Sequence, residues 1–363
     1  MTYLDSLGSY GGPLTVALSQ CASLSERGHE VTLLMGWDGE APISAPGISI
    51  KRHRAFRVTR SFFGTISPGL LLRYRKLARS HDVVHLHYSR DLVQVALPRL
   101  TPGRTPLVLQ AHGMIVRDQR RVARLMDRIF VRYAYARAIH LTLTEREELE
   151  IANISRGPQL IESIRNGVTM PATRARWRER PRVIFLARLA PRKRAPAFVE
   201  MVRILAQRGL DAEFAIYGPD EGDLPEVRRM IESLPSGLID YVGPVSPPNV
   251  ASVYTDSSIY VLPSVNEPFP MSLLEAMSHG LPSVITDQTG ISAELEGSAG
   301  VVVTDGTPES MAEGVLKLLE TERVWAVCSD AAINTVQQYF SVEAVADTLE
   351  NVYQAATDGG VWG

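Results

Sequence analysis

Two carboxylates, Glu267 and Glu275, stand eight positions apart in NEPFPMSLLEAMSHGLPSVITD, residues 266–287, directly after an apolar run. Glu267 reads as a loop residue and Glu275 as part of a helix that starts near Pro270, where proline sacrifices no hydrogen bond. A helix start just behind a strand holds an anion well, because its N–H groups lack partners and its dipole favours negative charge. The amides of Phe269, Met271 and Ser272 would supply that site, and the flanking carboxylates could each accept hydrogen bonds from sugar hydroxyls. The plainer reading, a surface loop glutamate and a solvated helix glutamate, stays open on this segment alone.

Some eighty residues earlier, FLARLAPRKRAPAFVEMVRIL puts Arg188 and Lys193 in a strand-to-helix loop. Two cations there could clamp a diphosphate, the arginine as a fork and the lysine as a point charge. Alternatively, Arg192, Lys193 and Arg194 form a solvated basic turn. Near the start, Gly11 and Gly12 precede a helix opening at Pro13, where glycine lets backbone approach a phosphate, although a bare Gly-Gly turn is not the dinucleotide fingerprint. His112 follows the run PLVLQ and is expected at a strand's carboxyl end, either structural or catalytic. His85 and His87 alternate along their strand and share one face, as packing or cleft-lining residues. No third ligand accompanies them, and no Asp-x-Asp pair occurs, so no metal site is expected.

The elements that must position these residues follow from periodicity. VTLLM (31–35), DVVHLH (82–87), PLVLQAH (106–112), IHLTLT (139–144) and ESIRNG (162–167) read as strands. Pro13 to Arg27, stopped by Gly28, and Arg117 to Arg137 read as helices, and Thr144 with Glu147 forms a capping box for a helix beginning at Glu145. After VTMPATRARWRERP (168–181), which reads as an interdomain linker, a second series follows: RVIFLA, AEFAIYG, LIDYVG, SIYVLPS and PSVIT. Strands alternating with helices specify α/β layers with parallel sheets. Two such series predict two Rossmann-like domains facing across a cleft at the carboxyl ends of their strands, where ligands of such sheets bind.

Composition narrows the classes. The 363 residues are 45% hydrophobic and 21% charged, with a formal charge of -2. Residues 1–180 hold 27 Lys and Arg against 15 Asp and Glu, whereas 181–363 hold 11 against 25. A uniform nucleic-acid binder is excluded by that split, and one half is expected to meet an anionic surface or substrate. Cys21 and Cys328 form no metal or redox pattern and are expected to be buried thiols in a reduced compartment. With no signal-like start, no membrane-spanning run and no internal repeat, a cytoplasmic location is expected.

Together these motifs resemble the retaining glycosyltransferases of the GT-B fold. The residues Glu267-x7-Glu275, Arg188-Leu189-x-Pro191-x-Lys193, Gly11-Gly12, His112-Gly113, Thr144-x-x-Glu147 and Asn166-Gly167-Val168 occur in the order seen in the EX7E family, over about residues 5–356. The resemblance implies an N-terminal acceptor domain over 1–172, a nucleotide-sugar donor domain over 173–339 and a terminal helix over 340–357 crossing back to the first domain. It implies that Glu275 binds the ribose hydroxyls of a nucleotide diphosphate sugar, Glu267 faces the donor sugar, and Arg188 and Lys193 neutralise the diphosphate. Gly11 and Gly12 would approach the phosphates, and His112 the transferring sugar. The implied reaction is retaining, metal-independent hexosyl transfer to a glycan or lipid-linked acceptor of a cell-surface polysaccharide, with no cofactor. A nucleotide-sugar 2-epimerase and a non-catalytic nucleotide-sugar-binding protein are the alternatives; a phosphorylase is disfavoured by only four lysines.

Three departures stand out. The family has glycine where Ala187 and Arg194 stand, and it carries more apolar residues before the glycine loop than Met1 to Asp5 supply, so the natural start is expected upstream. Basic segments (51–60, 73–79) and a stripe of Arg117, Arg121, Arg124, Arg128 and Arg132 beside an apolar stripe of Val122, Leu125, Met126, Ile129, Phe130 and Tyr133 suggest peripheral docking on an anionic membrane. An arginine-rich composition, 34 arginines to four lysines, accounts for the same charge.

Overall fold

Short runs such as 107–110, 139–142, 182–186, 259–262 and 283–286 become parallel strands buried on both faces, as sheets covered by helices on two sides require. The computed structural model describes residues 11–37, 47–59, 64–112, 121–155 and 160–358. The chain divides into two units, one comprising residues 1–167 and 342–363 and the other 168–341.

In the first unit, α1 (Gly11–Glu26) is followed by the parallel pair β1 (Thr32–Trp37) and β2 (Ser49–Arg54), then by a short antiparallel pair, β3 (Phe56–Arg57) and β4 (Thr65–Ile66). Next come α2 (Pro68–Arg79), β5 (Val84–His87), α3 (Leu97–Leu100), β6 (Leu107–Gln110), α4 (Arg121–Met126), a π turn (Asp127–Val131), α5 (Arg132–Arg137), β7 (Ile139–Thr142), α6 (Glu145–Ile154) and β8 (Leu160–Ser163). Strands β5 to β8 form a four-stranded parallel sheet in chain order. A cavity of about 830 Å³, lined among others by Gln20, Cys21, Leu33, His85 and Tyr353, lies in this unit.

The second unit runs β9 (Arg182–Leu186), α7 (Ala195–Gln207), β10 (Glu213–Tyr217), α8 (Leu224–Glu232), β11 (Ile239–Gly243), α9 (Pro247–Thr255), β12 (Ile259–Leu262), α10 (Met271–Ser278), β13 (Ser283–Thr286), α11 (Ser292–Leu295), β14 (Val301–Thr304), α12 (Pro308–Leu318) and α13 (Glu322–Tyr339). Its six strands are parallel in the order β11-β10-β9-β12-β13-β14. Strand order reverses at the β9–β12 pair, the doubly wound arrangement whose switch point binds ligands. The middle strands carry the core: Val183, Ile184, Phe185 and Ile259 to Leu262 are fully buried. The final helix, α14 (Val342–Asp358), belongs to the first unit, where Arg27 meets Asp347 at 2.6 Å and Glu350 at 2.8 Å.

Several elements differ from the sequence reading. Helix α1 already includes Gly11 and Gly12, so these glycines occupy a first helical turn, not a loop ahead of Pro13; the first turn's N–H groups have no intrahelical partners, so Pro13 costs nothing there. The Met1–Asp5 strand lies outside the described residues. The expected strand 162–167 shifts to Leu160–Ser163, and Asn166-Gly167 leaves the sheet. Residues 168–181 are no free linker: Val168 N donates to Phe340 O at 2.8 Å, Ala175 N donates to His279 O at 2.7 Å, and Trp177 meets Trp325 with ring centroids 6.1 Å apart. Strands β2, β3, β4 and β14 are additions to the strands expected from the sequence.

The stretch read as one helix over 117–137 is broken by the π turn, while Arg117 and the side chains of Arg121 and Val122 fall outside what is described. The extra residue in that turn rotates the buried face. Met126, Asp127, Val131, Ala134 and Tyr135 point inward, leaving Leu125, Ile129 and Tyr133 exposed beside Arg124 and Arg128. Arg132 instead turns its Nε to Ile154 O at 2.9 Å. Cys328 is buried and Cys21 partly so, both free thiols. No helix among the described residues is long and apolar enough to cross a membrane.

Candidate active site

Two loops leave the carboxyl ends of neighbouring strands β9 and β12, and topology alone therefore brings residues about seventy-five positions apart together. After β9, Pro191–Lys193 forms one turn of 3-10 helix that leads into α7. After β12, residues 263–270 carry Glu267 to the start of α10. Glu267 Oε2 accepts from Lys193 Nζ at 2.6 Å and from Arg192 NH1 at 3.0 Å. The Lys193 and Glu267 side chains are 9% and 7% exposed, whereas Arg192 is 40% exposed, so the pair is a nearly dry contact with a wetter third member. Burial lowers the Lys193 pKa; Glu267 opposes that shift, and the Arg192 and Arg188 charges add to it. Two cations on one carboxylate leave the cluster with one positive charge in excess.

Backbone constraints fix this loop. Glu267 O accepts from Gly290 N at 2.7 Å, and a Cβ at Gly290 would stand 2.2 Å from Pro268 O, so only glycine fits against the loop. Gly218 is constrained likewise: its φ is +140° and a Cβ would meet Ala187 O at 1.8 Å, beside the β9 loop. Among the described residues, three non-glycine positions have left-handed backbone, His112 (φ 51°), Arg194 (φ 55°) and Asn266 (φ 51°). Each is, or adjoins, a residue singled out from sequence. Such strain concentrates where a fold holds functional groups in set positions.

Structure redistributes the expected cations. Arg188, foreseen as half of the clamp, is half-exposed and pairs with Glu221 at 2.8 Å. Its place on Glu267 is taken by Arg192, which the sequence offered only as part of a solvated turn. The pairing was unreadable there because it depends on β9 and β12 being neighbours. Arg194, where the resemblance implies glycine, is the N-cap of α7 in left-handed backbone, a conformation glycine adopts without strain, with NH1 3.4 Å from Pro263 O.

Helix α10 begins at Met271 with Pro270 as its N-cap, where the sequence placed it. Phe269 is buried, and Ser272 sits in the first turn with Oγ 2.7 Å from Tyr260 Oη. One turn on, Glu275 Oε2 accepts from Tyr254 Oη at 3.3 Å, and the same hydroxyl reaches Ser272 O at 3.1 Å. Burial raises the Glu275 pKa, partly opposed by that tyrosine. Glu275 is therefore a held, partly buried carboxylate and not a freely solvated helix residue.

In the first unit, His112 follows β6 and its Nε2 lies 2.8 Å from His87 Nδ1. Thr144 caps α6 by accepting from Glu147 N at 3.3 Å, as expected, whereas Glu147 Oε2 accepts from Leu143 N at 2.6 Å, one residue ahead of the N-cap amide that a capping box engages. Among the described residues no group of three or more His, Cys, Asp or Glu is placed to hold a metal ion.

Comparison with known proteins agrees with this architecture. The family described as Glycosyltransferase Family 4 matches residues 10–170, and that described as Glycosyl transferases group 1 matches residues 180–321. The alpha-D-kanosaminyltransferase of Streptomyces kanamyceticus is 27% identical over 282 residues, covering 75% of this chain and 70% of that enzyme. The D-inositol 3-phosphate glycosyltransferase of Paenarthrobacter aurescens is 28% identical over 184 residues, covering 49% of this chain and 44% of that enzyme. Among solved structures, Anabaena Alr3699/HepE in complex with UDP and glucose superposes with a TM-score of 0.70 at 16% identity, over 98% of this chain and 99% of that one. A glycosyltransferase from Rickettsia africae superposes with a TM-score of 0.73 at 15% identity, over 99% and 98%. Fold, both matched families and these relatives converge, and the chain belongs to the glycosyltransferases of the GT-B fold.

Proposed function

We propose that this enzyme transfers a hexosyl group from a nucleoside diphosphate sugar to a glycan or lipid-linked acceptor, with retention of configuration and without a metal ion. The observation that carries the reading is the buried Lys193–Glu267 pair with Arg192 at the β9–β12 switch point, beside the start of α10. A departing nucleoside diphosphate gains negative charge as the sugar–phosphate bond breaks. Lys193, Arg192 and the amides of Met271 and Ser272 offset that charge where it develops, and Arg188 joins them once it leaves Glu221. Glu275 accepts from the ribose hydroxyls, Glu267 orients the cations and faces the sugar, and His112 contacts the transferring sugar. In front-face transfer the departing phosphate oxygen takes the acceptor proton, so neither glutamate is a nucleophile.

The first unit receives the acceptor. Its exposed Arg124 and Arg128, interleaved with Leu125, Ile129 and Tyr133, suit an anionic membrane face on the cytoplasmic side. There each basic residue contributes about 1 kcal/mol. A panel of nucleotide sugars, assayed with and without EDTA, tests the catalytic reading. Slow donor hydrolysis or transfer unaffected by EDTA is expected; inversion at C2 without transfer, or loss of activity with EDTA, overturns it. Flotation with anionic and neutral liposomes tests the docking, and binding to neither would end it.

A further inference from the structure

Three histidines of the first unit form a column of which the proposed chemistry uses only one end. His85 and His87 stand two residues apart on β5, so their rings share a face; the centroids lie 4.8 Å apart at 13° between planes. His112 continues the column from the end of neighbouring β6, with centroids 5.0 Å apart and planes 7° from parallel. At the other end His85 Nδ1 meets Tyr353 Oη of α14 at 2.7 Å. His85 Nε2 is buried and meets no hydrogen-bond partner among the described residues.

Burial pushes His112 down to about 4 and His85 to about 3, and holds His87 well below the ordinary imidazole value. Near neutral pH each ring therefore carries one N–H, and each has one donor nitrogen and one acceptor nitrogen. The 2.8 Å contact between His87 Nδ1 and His112 Nε2 is then an N–H···N bond that occupies His112 Nε2. Among the described residues no partner meets His112 Nδ1, the nitrogen we assign to a ligand, and its character as donor or acceptor is opposite to that of Nε2.

We propose that His87 is a positioning residue for His112, fixing both its ring plane and its tautomer so that Nδ1 presents a single hydrogen-bonding character to the sugar. The stacked His85, tied to Tyr353, backs His87 and makes α14 part of that support. This rests on the reading of His112 as the residue that contacts the sugar.

The test compares His87→Leu, His87→Asn and His112→Ala by steady-state kinetics and melting temperature, alongside ¹⁵N spectra of histidine-labelled parent enzyme. Asparagine can place a polar atom close to where Nδ1 stood; leucine cannot. His87→Leu is expected to lower kcat about 10- to 100-fold, the loss typical of removing a group that orients a site residue. Its donor KM should stay within about twofold, and His87→Asn should recover part of the loss. In parent spectra His112 should show one neutral tautomer throughout pH 6–8. Full turnover in His112→Ala sinks the reading of His112 itself. Impaired His112→Ala beside normal His87→Leu leaves that reading intact and overturns the role of His87. A His112 ring averaging between tautomers in the parent enzyme also overturns it, whether or not the leucine variant folds.

Discussion

Removing Glu267 and removing Lys193 should move nucleotide binding in opposite directions, although both break the same contact. In the free enzyme, Glu267→Gln leaves Lys193 buried beside Arg192 with no counter-charge. Breaking a buried ion pair from one side costs about 3–5 kcal/mol, and the 40% exposure of Arg192 puts this case near 3. For a unit of this size each kcal/mol moves the melting point by about 2–4 °C, so a fall of about 6–12 °C is expected. Adding a nucleoside diphosphate supplies the missing anion. A ligand at a hundred times its Kd stabilises by about 2.7 kcal/mol, and a tenfold tighter complex adds about 1.4. The nucleotide-induced shift in melting point should therefore be larger in Glu267→Gln than in the parent by about 3–6 °C. Lys193→Met leaves Glu267 partnered by Arg192, costs about 2 kcal/mol, and removes a charged phosphate contact worth about 1.5–3 kcal/mol, so its shift should nearly vanish. Scanning fluorimetry and calorimetry, using the nucleoside diphosphate that stabilises the parent most, measure both. Equal loss of the shift in the two variants, or no loss of stability in either, would refute the assignment of this pair to the phosphates.

Three further outcomes are expected. Because burial raises the Glu275 pKa and only its ionised form accepts two ribose hydroxyls, donor affinity should fall on acidification from a higher pH than an ordinary carboxylate gives; Glu275→Gln should flatten that limb and weaken binding by about 1–3 kcal/mol, as titration calorimetry across pH would show. Arg194→Gly removes a side chain from left-handed backbone, a conformation costing about 1–2 kcal/mol, and loses only a 3.4 Å contact, so urea unfolding should show a gain of about 1 kcal/mol. Glu221→Ala frees Arg188 from an exposed pair worth about 0.2–1 kcal/mol and should tighten nucleotide binding by no more than that; weaker binding would mean that Arg188 needs Glu221 in place.

What could be read from sequence follows the range of the interactions involved. The strands were legible because a strand buried on both faces needs an unbroken apolar run, and the start of α10 was legible because Pro270 marks it locally. The Thr144 cap is equally local, a contact three residues long. Lys193 and Glu267 were both identifiable as residues, but not as partners, since their meeting requires β9 and β12 to be adjacent across a crossover. The π turn at 127–131 escaped for a related reason: Asp127 is drawn inward by Arg90, with Nε–Oδ1 at 2.8 Å, and this pairing outweighs the regular periodicity that the apolar residues suggest. Gly11 and Gly12 misled because a glycine pair carries no local signal separating a loop from a first helical turn.

The unequal charges of the two halves acquire a physical meaning at this scale. A donor diphosphate would bind in the acidic half of the chain, which looks unfavourable if net charge is the guide. At physiological salt, however, exposed charges are screened beyond about 8 Å, whereas buried ones are screened much less. Lys193 is the only lysine in the second unit besides Lys317, and it is the one that is buried. Its field reaches a bound phosphate through low-dielectric surroundings, and the acidic residues on the unit's surface act on the same phosphate through water. Replacing several exposed glutamates of that unit, such as Glu309 and Glu313, with glutamine should therefore leave nucleotide affinity within about twofold at 0.15 M salt, while raising it at 10 mM salt, where the screening length grows to about 30 Å. Affinity that climbed at both ionic strengths would show that net charge, and not the buried cluster, governs binding.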